Sequence, residues 1–212
     1  MVDGLRDELA ALGFTAFDIQ LPGEDEFVAP LEGALRLRES DGYILETVDY
    51  GNAWELGRAS TPDEARELVL GYVARPLPPV TPMTQEALDE IVGRVSRHYF
   101  DVRDRATAAG PGGIVIDLPA DLAVDRLGAL DGIQLYPIDT PFELRSLPPH
   151  VLRPESDRHR FLTAAPLRVG AAITPPWFGR PGGGLRFTLQ GAGIGIRDLV
   201  VSGQLKRIAL VD

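Results

Sequence analysis

The sequence contains no cysteine, and among its 212 residues it has only three histidines and one lysine. The absence of cysteine excludes disulfides, zinc–thiolate sites and cysteine nucleophiles. His98, His150 and His159 are too few to hold a metal without carboxylate ligands. No apolar run approaches the roughly 18 residues that span a bilayer, and the acidic N-terminus has no secretory-signal pattern. We therefore expect no metal, no membrane segment, and either a cytoplasmic location or export by a route without a signal peptide.

The composition is that of an ordinary globular protein, with 44% hydrophobic and 25% charged residues. The formal net charge is −10, and all of it lies in residues 1–80, which hold 16 acidic residues and 6 arginines. Residues 81–212 balance 15 acidic against 15 basic residues. Neither part has the basic surface of a nucleic-acid-binding protein. The acidic part either attracts a basic partner or serves solubility, and composition leaves both readings open.

A proline-rich segment, residues 74–82, divides the chain where the charge changes, since it has four prolines in nine residues. We predict an acidic α+β module of unknown role over 1–78, a linker over 79–83 and a second domain over 84–212. Short strands and little helix after the linker predict a mainly antiparallel sheet, so the fold class is α+β.

Apolar periodicity, caps and turn residues predict the individual elements. The predicted helices cover 5–12, a segment opened by Thr61 as N-cap, 85–98 and 196–202. The predicted strands cover 34–37, 43–48, 53–57, 113–118, 133–136, 159–164, 185–189 and 205–211.

Three consecutive glycines, Gly182, Gly183 and Gly184, stand out because they lose much conformational freedom on folding. Such a run allows a close approach of the backbone, either to a ligand or to another strand, and the residues alone do not decide between these. Arg180 and Arg186 flank the glycines and suit an anion such as a phosphate.

Five separate blocks, taken in order, resemble the tuberculosis necrotizing toxin (TNT) domain family over about residues 118–211. The blocks are Asp125-Arg126-x-Gly128; Gly132 with Leu135-x-Pro137; Thr140-Pro141-Phe142-Glu143-x-Arg145-Ser146-Leu147-Pro148-Pro149; Trp177-Phe178-Gly179-x-Pro181-Gly182-Gly183-Gly184; and Ile196-Arg197-Asp198-Leu199 with Gly203-x-Leu205. The resemblance implies an NAD(P)+ glycohydrolase, which splits the nicotinamide–ribose bond and releases ADP-ribose.

The resemblance also implies the site. Arg126 and Arg145 match arginines that hold phosphates, and His159 matches a histidine that is functional in some members. The predicted catalytic residues are Arg126, His159 and Arg186. The predicted substrate-binding residues are Arg145, Gln134, Tyr136, Trp177, Phe178, Gly182, Gly183 and Gly184. The implied partners are NAD+ or NADP+ as substrate and a cognate immunity or toxin-system protein; no cofactor, nucleic acid or membrane is expected.

Two positions depart from the family pattern. Gln134 stands where the family has an aromatic residue, and Tyr136 follows it two residues later. Arg186 stands where the family has a glutamine that is central to catalysis. The sequence therefore leaves three hypotheses: a glycohydrolase, weak or of shifted specificity; a catalytically degenerate domain that binds a nucleotide or a protein; and an interaction or immunity-type protein whose acidic N-terminal part does the work.

Overall fold

A computed structural model describes residues 4–24, 32–152, 158–191 and 193–211, with the side chains of His150 and Leu152 outside the described part. Helix accounts for 31% and strand for 35% of the chain, which confirms the α+β class. The helices are α1 (Leu5–Ala11), α2 (Pro62–Val73), α3 (Gln85–Ala109), α4 (Phe142–Arg145) and α5 (Ile196–Val201). The strands are β1 (Ile19–Gln20), β2 (Ala34–Ser40), β3 (Gly42–Asp49), β4 (Asn52–Ala59), β5 (Thr81–Thr84), β6 (Ile114–Leu118), β7 (Ala123–Leu127), β8 (Gln134–Pro137), β9 (Arg158–Thr163), β10 (Leu167–Ile173), β11 (Leu185–Leu189) and β12 (Leu205–Val211).

The N-terminal module, defined here as residues 4–24 and 32–75, is a four-stranded sheet in the order β1-β2-β3-β4 with α1 and α2 packed on it. Its core includes Leu9, Leu37, Leu45 and Val69, all at most 1% exposed. The predicted start of α2 is confirmed: the side chain of Thr61 accepts a hydrogen bond from the Glu64 amide at 3.2 Å. Strands β3 and β4 are joined by a two-residue turn, Tyr50-Gly51.

The rest of the chain forms an eight-stranded sheet in the order β5-β12-β9-β7-β8-β11-β10-β6. Every neighbouring pair is antiparallel except β12 and β5, which confirms the prediction of a mainly antiparallel sheet. Strand β5 begins in the proline-rich segment and lies at the edge of the sheet. Pro82 has no backbone N–H to donate, and an edge strand tolerates this because one of its sides has no neighbouring strand.

Helix α3 crosses the sheet and ends eleven residues beyond the predicted stop at His98. Val102 and Ala106 are buried against the sheet and continue the apolar face of the helix. Strands β7 and β10 were not predicted, and both are central to the sheet's hydrogen bonding. Within the described residues, no helix is both long enough and apolar enough to cross a bilayer.

Candidate functional site

A cavity of about 440 Å³ lies where the end of α3, the end of β10 and the loop before β11 meet. Its wall is mostly apolar and rich in proline, with one arginine and two threonines. It is lined by Ala106, Thr107, Gly110, Pro111, Ile173, Thr174, Pro175, Pro176, Pro181, Gly183 and Arg186. Two of the predicted site residues, Gly183 and Arg186, therefore face one cavity.

The triple glycine has two different structural causes. A Cβ on Gly182 would lie 2.5 Å from the Thr174 carbonyl oxygen, and one on Gly184 would lie 2.7 Å from that of Leu144. These two glycines allow the chain to pack against itself. Gly183 has a φ of +90° and would meet nothing within 4 Å, so its backbone borders open space beside the cavity.

Arg186 lies on β11, opposite Ala172 of β10, and is half-buried. Among the described residues it forms no ion pair, and its buried Nε has no hydrogen-bond partner. Its guanidinium lies 4.9 Å from the centroid of the Tyr50 ring. A cation without a carboxylate partner at a cavity wall is suited to bind an anion.

Trp177 and Phe178 form a stacked pair with ring centroids 4.4 Å apart, and they are 43% and 44% exposed. Phe178 has a φ of +50°, a conformation that is unfavourable for a bulky side chain. The Trp177 ring also lies 6.0 Å from that of Tyr50. The pair therefore places two accessible aromatic faces beside the glycine loop.

Arg126 is buried, and its guanidinium is bound by the N-terminal module. Its Nη1 lies 3.1 Å from the Asp49 carboxylate and donates to the Gln134 carbonyl, and its Nη2 donates to the Glu32 carbonyl at 2.7 Å. The backbone also encloses it, because a Cβ on Gly33 would lie 2.0 Å from its Nη2. In this conformation Arg126 is not open to a phosphate.

Arg145 is also fully buried. Its Nη2 lies 2.6 Å from Asp125 Oδ1, its Nε donates to the Thr140 carbonyl, and its guanidinium stacks 4.8 Å from the Tyr136 ring centroid. Burial raises the pKa of Asp125, and the charge of Arg145 opposes that rise. The pair braces β7 against α4.

The remaining predicted site residues lie around these arginines. The backbone amide of Gln134 donates to Asp49, while its buried side-chain oxygen has no hydrogen-bond partner in the part of the chain that the structure describes. The hydroxyls of Tyr136 and Tyr50 form a hydrogen bond. Nε2 of His159 lies 3.1 Å from the Gly128 carbonyl oxygen, away from the cavity.

Sequence reasoning missed the part that the N-terminal module plays here. Asp49 and Tyr50, at the tip of the β3–β4 hairpin, contact five of the predicted site residues: Arg126, Gln134, Tyr136, Trp177 and Arg186. The one local signal was a Tyr-Gly pair between two predicted strands, which marks a turn but not what the turn touches. No group of three or more metal-ligating side chains occurs within the described ranges.

Comparison with known protein families gives a match in the second half of the chain. Residues 117–208 match the family model described as Tuberculosis necrotizing toxin. The TNT resemblance is confirmed over these residues. We refer to β6–β12, with the helices between them, as the TNT-like domain.

A solved structure titled "Atomic structure of tuberculosis necrotizing toxin (TNT) complexed with its immunity factor IFT" also matches, at 19% identity and a TM-score of 0.38. The match covers 45% of this chain and 57% of that chain, so it spans little more than half of the toxin structure's length. No curated protein matches the chain.

Proposed function

We propose that the TNT-like domain binds NAD+ or NADP+ and splits the bond between nicotinamide and ribose slowly. The observation that carries this proposal is the cavity beside the triple glycine, with Arg186 in its wall, in a segment that matches the TNT family. The cavity's volume lies within the range of small-molecule sites, and an apolar wall with one cation suits a nucleotide's ring and phosphate. A cognate immunity protein, the partner that the resemblance implies, stays a prediction.

The chemistry requires little proton transfer. Nicotinamide leaves as a neutral group while positive charge grows on the ribose; water then adds to that ribose carbon and releases a proton to solvent. The protein must therefore hold the pyrophosphate, position the ring and favour the positive charge. Arg186 would help to hold the pyrophosphate, but its positive charge would disfavour positive charge on the ribose. An arginine at roughly 5 Å from the ribose raises the barrier by about 3 kcal/mol at an effective dielectric of about 20. That barrier corresponds to about a hundredfold loss in rate.

The test is nicotinamide release from NAD+ and from NADP+. We expect slow release by the wild type, release about a hundredfold faster by Arg186→Gln, and wild-type release by Arg168→Gln. Arg168 is the matched control because it lies on the neighbouring strand, is exposed and, among the described residues, forms an ion pair only with exposed Asp117. Release by none of the three proteins would show that the chain in its native conformation does not hydrolyse NAD(P)+.

A second candidate is a TNT-like domain that binds a nucleotide without cleaving it. The observation that favours it is Arg186 itself, a cation in the cavity wall at the position where the TNT resemblance implies a catalytic glutamine. Calorimetric titration with NAD+ distinguishes the two candidates: binding without nicotinamide release supports the second, and absence of both removes the nucleotide from the proposal.

A further inference from the structure

The Asp49 carboxylate of the N-terminal module contacts three hydrogen-bond donors of the TNT-like domain. Oδ2 of Asp49 lies 3.1 Å from Arg126 Nη1 and accepts hydrogen bonds from the amides of Ile133, at 2.8 Å, and Gln134, at 3.1 Å. Asp49 is 2% exposed. One guanidinium and two consecutive backbone amides are donors suited to a phosphate oxygen as well as to a carboxylate.

The next residue along the hairpin, Tyr50, fills an aromatic slot in the same domain. Its ring lies beside Trp177 and below the guanidinium of Arg186, and its hydroxyl bonds to that of Tyr136. The slot thus provides ring contact, a cation and a hydroxyl, which a planar base would also engage. Asp49 and Tyr50 together present an anion and an aromatic ring, as a nucleotide does.

The backbone of the tip is strained for the residue that it carries. Tyr50 has a φ of +54° and Gly51 a φ of +69°, and Asp49 pairs with Asn52 across them. Two-residue hairpin turns with positive φ at both positions favour Asn-Gly. Tyrosine at the first position costs about 1–2 kcal/mol of local strain. The turn alone would not select tyrosine, and the contacts of its ring account for it.

A second set of contacts, made through α5, also joins the module to the domain. Arg75, at the end of the module, lies 2.6 Å from the Asp198 carboxylate of α5. Arg197 of α5 donates to the Val73 carbonyl and bonds to Asp131. The hairpin tip is therefore one of two sets of polar contacts that join the module to the domain.

We propose that the N-terminal module is an intramolecular inhibitor of the TNT-like domain. Asp49 and Tyr50 occupy the places of a phosphate and an aromatic ring of NAD(P)+, and the tip must leave before the dinucleotide can bind in full. Arg186 lies between the tip and the open cavity, so both belong to one binding surface. The inference rests on the proposed function, and it gives the acidic module a role.

The experiment compares NAD+ affinity, by titration calorimetry, of the wild type and the double variant Asp49→Asn/Tyr50→Asn. Asparagine at 50 suits the turn, and asparagine at 49 keeps an oxygen for the three donors while removing the charge. We expect the double variant to bind NAD+ at least tenfold more tightly. Asp41→Asn is the matched control, because it removes an exposed carboxylate at the opposite end of β3, and it should bind as the wild type does.

The outcomes separate this inference from the proposed function. Equal, measurable NAD+ affinity in the wild type and the double variant would overturn inhibition and leave the proposed function standing. No binding by any of the proteins would remove the proposed function and the inhibitor role with it.

If the double variant does not fold, amide hydrogen exchange at Tyr50 of the wild type tests the inhibitor inference instead. The Tyr50 amide donates to Glu32 Oε2 at 2.6 Å and should be protected. We expect saturating NAD+ to accelerate its exchange, because the tip is displaced. Unchanged protection with NAD+ bound would overturn the inference.

Discussion

At the scale of single residues, the sequence located two arginines but could not show what neutralises them. Arg126 and Arg145 occupy the positions that the family resemblance assigns to phosphate binding. Arg145 pairs with the carboxylate of Asp125, which is 20 residues away in the sequence. Arg126 pairs with the carboxylate of Asp49, which is 77 residues away and belongs to the N-terminal module. Local patterns carry no information on pairs at such separations. The binding role of both arginines stays a prediction.

The buried pair Arg145–Asp125 yields a stability prediction. Arg145→Met removes the close cation of the buried Asp125 carboxylate and leaves only Arg158 at 4.0 Å. We expect it to lower the free energy of unfolding by about 3 kcal/mol, measured in urea. Arg168→Met breaks an exposed pair and should cost less than about 1 kcal/mol. A loss of NAD+ affinity by Arg145→Met at unchanged stability would contradict a bracing role and favour phosphate binding.

At the scale of elements, the sequence predicted the helices and strands that show clear apolar periodicity. It missed elements that are buried on both faces and therefore show no such periodicity. Strand β7 was not predicted because it is buried on both faces and yet carries Asp125 and Arg126, so it lacks alternation. Helix α3 was predicted to stop at His98. Beyond it, four charged residues interrupt the apolar pattern, and Tyr99, Val102 and Ala106 continue the inner face.

The glycine loop gives a prediction at this scale. Gly182→Ala and Gly183→Ala both place a side chain at positive φ, which costs about 1–2 kcal/mol. Only the first also drives a Cβ against the backbone of Thr174 and Pro175. We expect Gly182→Ala to lower the urea-unfolding free energy by at least 1 kcal/mol more than Gly183→Ala does.

The same two variants test the loop's second role. Gly183 borders the cavity, so its new methyl group should weaken NAD+ binding while the fold persists. Equal destabilisation by both variants would show that the backbone at Thr174 shifts at little cost to make room for the Cβ. Positive φ would then be the reason that both positions require glycine.

At the scale of the whole molecule, the charge asymmetry between the two parts was evident from composition, but its structural use was not. The division into 1–78, 79–83 and 84–212 stays a prediction. What the structure adds is an interface in which Arg126 binds the Asp49 carboxylate and the Glu32 backbone carbonyl of the N-terminal module, while the Glu32 carboxylate accepts from the Tyr50 amide. Composition gives the sign of the module's charge, and only the packing of the two sheets shows where that charge is buried.

This interface should respond to pH. Burial, with Asp49 close by, raises the pKa of Glu32 from 4.5 to about 7, while the amide of Tyr50 and the charge of Arg126 oppose the rise. Because the pKa is higher in the folded protein, Glu32 contributes stability that is complete below about pH 4.5 and is lost as the pH rises through about 7. The full loss is about 3 kcal/mol, most of it between pH 5 and pH 8.

Urea unfolding at pH 5 and at pH 8 measures this loss. Glu32→Gln should remove most of the difference in stability between the two pH values, because its neutral amide mimics the protonated acid. Glu39→Gln, at an exposed position of the same sheet, should retain the difference.

If the module is an inhibitor, the same loss of stability loosens the hairpin, so the wild type should bind NAD+ more tightly at pH 8 than at pH 6. Glu32→Gln should show little such change. Parallel stability and affinity curves for the wild type and Glu32→Gln would mean that another group controls the interface.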